Sequence, residues 1–311
     1  MTLPVVMNAA AGGGHGAEDI ERVRAAFREA GVDAEILAAE NGAHIVSLAQ
    51  GAARSKPPVI VAAGGDGTIS AVAAELAGTG IAMGVLPLGT LNHFARDLGV
   101  SLDLVQAARD IAAGRTLQVD VGEVNGRVFV NNSSLGLYPH MVHQRNKLRR
   151  RGPGEMRGGK WHAMLWASMK VFRRYPFLDV SLDLDGQKKS LRTPFVFVGN
   201  NAYVMEGFDI GTRECIDCGL LSVYVARHVG RLGLLRLALR AFFGRLAQER
   251  DFETAQVASV EIRPHRRSLK KRKRVLVSAD GEVSVMETPI AYRIRPKALN
   301  VIVPAAAPAG T

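Results

Sequence analysis

Three glycine-rich segments, each directly after a short apolar run, constrain this chain more than any other feature. Asn8 to Gly16 follows the run that ends at Asn8, Gly64 to Thr68 follows Val59 to Ala63, and Pro87 to Asn92 follows Ile81 to Leu86. Helical periodicity fills the intervals at Ala17 to Ala30, Ala43 to Ala53 and Ile69 to Ala77, with a further extended piece at Ala34 to Leu37. Strand and helix in alternation build a parallel sheet with crossover helices. At the carboxyl ends of such strands, glycines let main-chain amides come close to a ligand, and the N-terminus of the next helix favours an anion. One loop of this kind makes a turn; three on one sheet point to a polyphosphate nucleotide.

The α/β rhythm continues through a helical Asn92 to Asp97 and an amphipathic Leu102 to Ala113, and then changes. From about Asp120 short strands are separated by turn signals, with Asn125-Gly126 reading as a tight hairpin. Leu178 to Leu184, Thr193 to Val198, Leu220 to Val225, Val257 to Ile262, Val275 to Ser278 and Leu299 to Val303 read as strands, and Trp161 to Arg174 and Leu232 to Leu246 as inserted helices. A chain of 311 residues accommodates two domains. The expectation is an α/β nucleotide-binding domain over residues 1–122, a mostly antiparallel β domain over 123–304 and a disordered tail over 305–311.

Lysine and arginine exceed aspartate and glutamate by 40 − 29 = 11, so the partner is expected to be anionic. Nucleic acid is set aside, because zinc-finger spacing and the aromatic signature of an RNA-recognition motif are both absent. The most apolar stretch, Leu232 to Phe243, carries Arg236 and Arg240 and does not read as a membrane span. Thr2 to Met7 has no basic segment before a long apolar one, so a cytoplasmic protein is expected. Cys215 and Cys218 have the spacing of a redox pair or of half a zinc site. With no second pair, ordinary reduced thiols in a loop are expected.

Asp66 lies between Gly65 and Gly67, where an acid would repel phosphates unless a cation intervened, and magnesium is the natural mediator. The P-loop pattern and the catalytic loop of protein kinases are absent. GGDGT at Gly64 to Thr68, PLGTLNHFARDLG at Pro87 to Gly99 and SADGE at Ser278 to Glu282 together resemble the signatures of the diacylglycerol kinase catalytic family, over about Leu3 to Pro304. That family includes bacterial diacylglycerol and other lipid kinases with sphingosine and ceramide kinases, and is distantly similar to NAD kinases and phosphofructokinases.

The resemblance implies an ATP-dependent lipid kinase whose α/β domain is NAD kinase-like and whose second domain receives the lipid. It implies that Gly64, Gly65, Gly67, Thr68 and Thr90 hold ATP phosphates, with Asn8, Gly89 and Asn92 in the same nucleotide site. Asp66 would organise magnesium, Glu282 would take the proton of the lipid hydroxyl, and Asp280 would support the turn that carries Glu282. A segment like Cys215 to Leu221 holds magnesium in some members; here Cys218 stands where an Asp is common, which leaves Asp217 as the metal ligand. His93 stands where many relatives have an acid, and Ala39 where a Thr often touches nucleotide.

Three basic segments suit peripheral association with the anionic inner face of a membrane: Arg263 to Arg274, Arg231 to Arg250 and Arg145 to Arg151. The second also reads as a helix packing its apolar stripe onto the β domain. The expected partners are a lipid alcohol, with diacylglycerol foremost, that membrane surface and a second copy of the chain. An NAD kinase-like enzyme and a catalytically idle lipid-binding relative are the alternatives. The extended PLGTLNHFAR segment speaks against the first, and intact Asp66 and Glu282 against the second.

Overall fold

The runs Leu3–Asn8 (β1), Ala34–Ala39 (β2), Val59–Gly64 (β3) and Ala82–Pro87 (β4) pair in parallel in the computed structural model, in the order β2-β1-β3-β4. The structure describes residues 2–9, 16–137, 139, 177–204, 213, 215–227, 230, 233, 236, 239–240, 251–265 and 274–305. Two compact units divide the chain. Unit 1 takes Met1–Asn131, Cys215–Gly219 and Ile294–Thr311; unit 2 takes Asn132–Glu214 and Leu220–Arg293.

In unit 1 the helices Gly16–Glu29 (α1), Gly42–Arg54 (α2), Asp66–Leu76 (α3), His93–Asp97 (α4) and Leu104–Ala113 (α5) connect or follow the strands. α1 buries Val23, Ala26 and Phe27, and α5 buries Ala107, Ala108 and Ile111, in each case residues three and four apart on a single apolar face. Asn41 caps α2 by accepting from the His44 amide, and Asp103 caps α5 by accepting from the Gln106 amide, each worth about 1 kcal/mol. β4 is buried along its whole length and β3 from Ile60 onward, as the inner strands of a covered parallel sheet must be. Arg115–Val124 (β5) turns through Asn125 and Gly126, both at positive φ, into Arg127–Phe129 (β6), so the expected tight hairpin is present. The end of Ile290–Val303 (β16) lies parallel to β4 through Asn300 and Val301.

The strands of unit 2 pair antiparallel, with one isolated parallel bridge between Asn201 and Leu221 among the described residues. Asn132–Gly136 (β7), Phe195–Asn200 (β10), Leu221–Ala226 (β11), Phe252–Val257 (β12), Arg274–Ala279 (β14) and Glu282–Glu287 (β15) form one sheet in the order β12-β11-β10-β7-β14-β15. Leu178–Leu184 (β8), Gln187–Thr193 (β9) and Ser259–Pro264 (β13) form a second set with the first half of β16, in the order β16-β13-β8-β9. Tyr203, Tyr224 and Phe252 form an aromatic cluster with Phe195 and Phe197 against it. The buried Tyr224 hydroxyl accepts from the Tyr203 amide and donates to the Tyr203 carbonyl, both at 2.9 Å.

The run Val257 to Ile262 is not the single strand that its apolar residues suggest. It breaks at Ala258, between β12 and β13, which belong to different sheets. Asp185 supplies the reason: its carboxylate accepts from the amides of Ala258 (2.8 Å) and Ser259 (2.7 Å) and from the Ser259 hydroxyl (2.9 Å). Strand β9 escapes sequence reading because it is an edge strand of mostly exposed polar residues. The helices expected at 161–174 and 232–246 and the tail beyond residue 305 lie outside the described residues, apart from residues 233, 236, 239 and 240.

Candidate functional site

β1 is flanked by β2 on one side and β3 on the other, so the chain winds outward from it in both directions. In an open parallel sheet, such a switch point leaves a crevice at the carboxyl ends of the two strands involved. Those ends carry Asn8 on β1, opposite the buried Ala39 of β2, and Gly64 on β3, opposite Pro87 of β4. Of the first glycine-rich segment, Asn8, Ala9 and Gly16 are described, and residues 10–15 lie outside the described residues.

The second and third segments are built against each other. The Leu88 amide donates to the Gly64 carbonyl at 2.9 Å. A Cβ on Gly89 would lie 2.5 Å from the Gly65 Cα and 2.7 Å from Asn92 Oδ1, so only glycine allows the two main chains to come this close. Asn92 fixes the third loop: with φ at 51°, it accepts from the Gly89 amide through Oδ1 (3.0 Å) and donates to the Gly89 carbonyl through Nδ2 (2.8 Å). Its side chain shapes the loop from within, while Gly89 and Thr90 are exposed beside it. Gly89→Ala is expected to cost about 1–3 kcal/mol, because both obstructing groups are held in place. A thermal melt checks this, and an unchanged melting temperature would show that the loops separate easily.

Gly65 is the N-cap of α3 in an extended conformation with no side-chain cap, so the helix start presents main-chain amides. Asp66 and Gly67 lie in that first turn, and the Thr68 amide bonds back to the Gly65 carbonyl at 2.9 Å. Thr68 is buried and packs over Gly64. Asp66 Oδ1 is buried and has no hydrogen-bond partner among the described residues, an expensive state for a carboxylate oxygen. This orphan oxygen fits a divalent cation. Among the described residues no group of three or more His, Cys, Asp or Glu side chains is placed to hold a metal. Magnesium does not require one, since one or two carboxylates suffice when substrate phosphates and water complete its shell.

In unit 2, Asp280 (φ 47°) and Gly281 (φ 80°) make the two-residue turn between β14 and β15, with Ala279 opposite Glu282. Asp280 ties this turn to β7: its amide donates to the Asn132 carbonyl (2.8 Å), and its Oδ1 accepts from the Asn132 amide (3.1 Å). Behind it, the Ser133 hydroxyl donates to the Ser278 carbonyl at 2.7 Å and meets the Tyr292 hydroxyl at 3.0 Å. Burial pushes the Tyr292 phenol well above its ordinary range, so it stays a neutral hydrogen-bonding group. Glu282 is exposed on this braced hairpin.

The cysteines correct the sequence reading. Cys215 and Cys218 are bonded to each other, with Cα atoms 6.0 Å apart, a separation a disulfide spans without backbone movement. Asp217, between them, is exposed. Asp120, which sequence reading passed over, organises this segment. It is 1% exposed; its amide donates to the Ile216 carbonyl (2.9 Å), and its two oxygens accept from the Gly219 (2.6 Å) and Lys297 (2.8 Å) amides. The available signal was an acid inside the apolar run Val119-Asp120-Val121. The basic segments at 145–151 and 266–273 lie outside the described residues, as does most of 231–250.

Comparison with known proteins joins these features. Residues 2–124 match the diacylglycerol kinase catalytic domain, and residues 154–303 match the YegS C-terminal NAD kinase beta sandwich-like domain. A diacylglycerol kinase of Mycobacterium tuberculosis is 30% identical over 222 residues, 69% of each chain. An uncharacterized protein of Synechocystis is 26% identical over 246 residues, 79% of this chain, and the match spans about half of that relative's length, 54%. The crystal structure of a diacylglycerol kinase from Bacillus anthracis shares the fold, with a TM-score of 0.68 at 21% identity over 100% of this chain and 98% of that one.

Proposed function

The chain belongs to the diacylglycerol kinase family, and we propose that it transfers the γ-phosphate of ATP to the hydroxyl of a lipid alcohol, diacylglycerol foremost. The observation that carries this reading is the buried Asp66 carboxylate oxygen, unpartnered among the described residues, beside the close-packed Gly65 and Gly89 main chains. An acid among phosphate-binding loops has a use when a cation and a polyphosphate arrive together.

In this reading, the first-turn amides of α3 and the Gly64–Thr68 and Gly89–Thr90 main chains receive the phosphates, with Asn8 at the neighbouring strand end. Asp66 would hold magnesium, which when bound neutralises charge on the phosphates. Asn92 acts as a positioning residue through its two bonds to Gly89. Glu282 accepts the proton of the lipid hydroxyl as that oxygen bonds to the γ-phosphorus and ADP leaves. Asp280 holds the hairpin on which Glu282 stands. Incubation with γ-labelled ATP, magnesium and a total lipid extract is expected to give a labelled lipid that comigrates with phosphatidic acid. Label appearing only when NAD replaces lipid would transfer the reading to NAD kinase chemistry, and no labelled product in either arm would overturn it.

The net charge of +11 supports a further element of the proposal, peripheral binding at an anionic membrane surface. Among the described residues no helix is long and apolar enough to cross a membrane. Sedimentation is expected with vesicles containing phosphatidylglycerol but not with phosphatidylcholine alone. It should be lost in 1 M salt, where the Debye length is about 3 Å, and reduced by changing Lys270, Lys271, Arg272 and Lys273 to Gln. Equal sedimentation of parent and variant would remove that segment from the docking surface.

A further inference from the structure

We propose that Cys215 and Cys218 form a thiol–disulfide exchange site whose redox state sets how firmly residues 215–219 are held to unit 1. These five residues are an insertion: the chain leaves unit 2 after Glu214, contributes Cys215–Gly219 to unit 1 and returns to unit 2 at Leu220. Three contacts hold the insertion. Ile216 packs against the unit 1 core, the Ile216 carbonyl accepts from the Asp120 amide, and the Gly219 amide donates to the buried Asp120 carboxylate. Gly219 reaches that carboxylate with φ at 73°, a conformation open to glycine at little cost. The disulfide closes the turn between the second and third of these contacts. It therefore fixes the Gly219 amide relative to Ile216, and so fixes half of the amide pair, Gly219 and Lys297, that satisfies Asp120.

The two sulfurs differ in access. Cys218 is exposed and Cys215 half-buried, so an incoming thiolate meets Cys218 first. The chain has two cysteines and both are in this bond, so no thiol of its own can open it. The reductant must come from outside, as a dithiol. Its first thiolate bonds to the Cys218 sulfur while the bond between the cysteines breaks and Cys215 leaves as a thiolate that takes a proton. Its second thiol then attacks the mixed disulfide, forms the oxidised reductant and releases Cys218 as a thiol; two electrons and two protons have passed to the protein. A bridge over so short a loop removes little chain entropy from the unfolded state, so its effect is local. Opening it frees the turn to swing the Gly219 amide away from Asp120.

The test uses the full chain in dithiothreitol buffers of graded ratio, read by maleimide labelling with mass spectrometry and by amide hydrogen exchange. Both thiols are expected to appear together at one midpoint, with Cys218 labelled first during reduction. Exchange at the Gly219 amide should then quicken roughly tenfold or more, the scale of a lost charge-assisted hydrogen bond, while β3 amides are unchanged. The Cys215→Ala, Cys218→Ala double variant should show the fast exchange in both buffers. Failure of the purified protein to form the bond under oxidising conditions would overturn the proposal, and so would equal exchange at Gly219 in the two redox states. Neither readout depends on phosphoryl transfer, so the kinase reading stands or falls separately.

Discussion

Asp66→Asn is expected to lower phosphoryl transfer by on the order of 10²–10³-fold, the kinetic equivalent of the several kcal/mol a bound cation contributes, without lowering stability. The two halves of this result have separate physical causes. The amide keeps the size of the carboxylate, so the first turn of α3 and its contact with the Gly89 loop survive. What disappears is the charge that a cation needs. In the protein without ligand, that charge is a burden, because Oδ1 is buried with no hydrogen-bond partner among the described residues. Asn keeps a buried polar atom there but removes the buried charge, which is the costlier of the two to bury, whereas an acid at a helix N-terminus gains only about 0.3–1 kcal/mol from the dipole. The Asn variant should therefore melt at the parent temperature or above it. Turnover at saturating ATP and a thermal melt without nucleotide check the two halves. A variant that lost activity and stability together would make Asp66 a structural residue.

The same residue shows how far a sequence carries. That Asp66 sits among glycines at the end of an apolar strand is plain from the letters GGDGT, which is why a cation is expected there. That one of its oxygens is orphaned is visible only once packing is known. The parallel sheet was legible because β3 and β4 are continuous apolar runs and α1 and α5 keep one apolar face. In unit 2, β8, β10, β11 and β14 could be read from their apolar faces, but β7 and β15 were not read, nor was β9, exposed and polar along most of its length. The break at Ala258 was hidden for another reason. It is imposed by Asp185, 73 residues away, and no local pattern reports a contact of that range. Asn92 stands in the loop that the resemblance assigns to nucleotide, while its bonds to Gly89 depend on a left-handed backbone that the sequence only permits. The cysteine reading failed because four-residue spacing says nothing of how the turn between them is held. Asp120, nearly a hundred residues upstream, holds it.

Glu282→Gln is expected to lower the lipid-dependent rate by roughly 10²-fold or more while leaving ATP affinity unchanged. The hairpin that carries Glu282 is specified by other residues: Asp280 and Gly281 take the positive φ angles, and Asn132 anchors the turn through Asp280. Glutamine at 282 therefore keeps the backbone, the size and most hydrogen-bonding capacity of the parent. The one property removed is the ability to accept a proton. Glu282 is exposed, so the exchange should leave stability within about 0.5 kcal/mol of the parent's. Labelled-lipid formation at saturating ATP, with ATP binding followed separately by calorimetry, reads both effects. A variant that turns over at the parent's rate would remove Glu282 from the proton transfer. One that loses ATP binding and turnover in equal measure would move Glu282 from the acceptor's proton to the nucleotide.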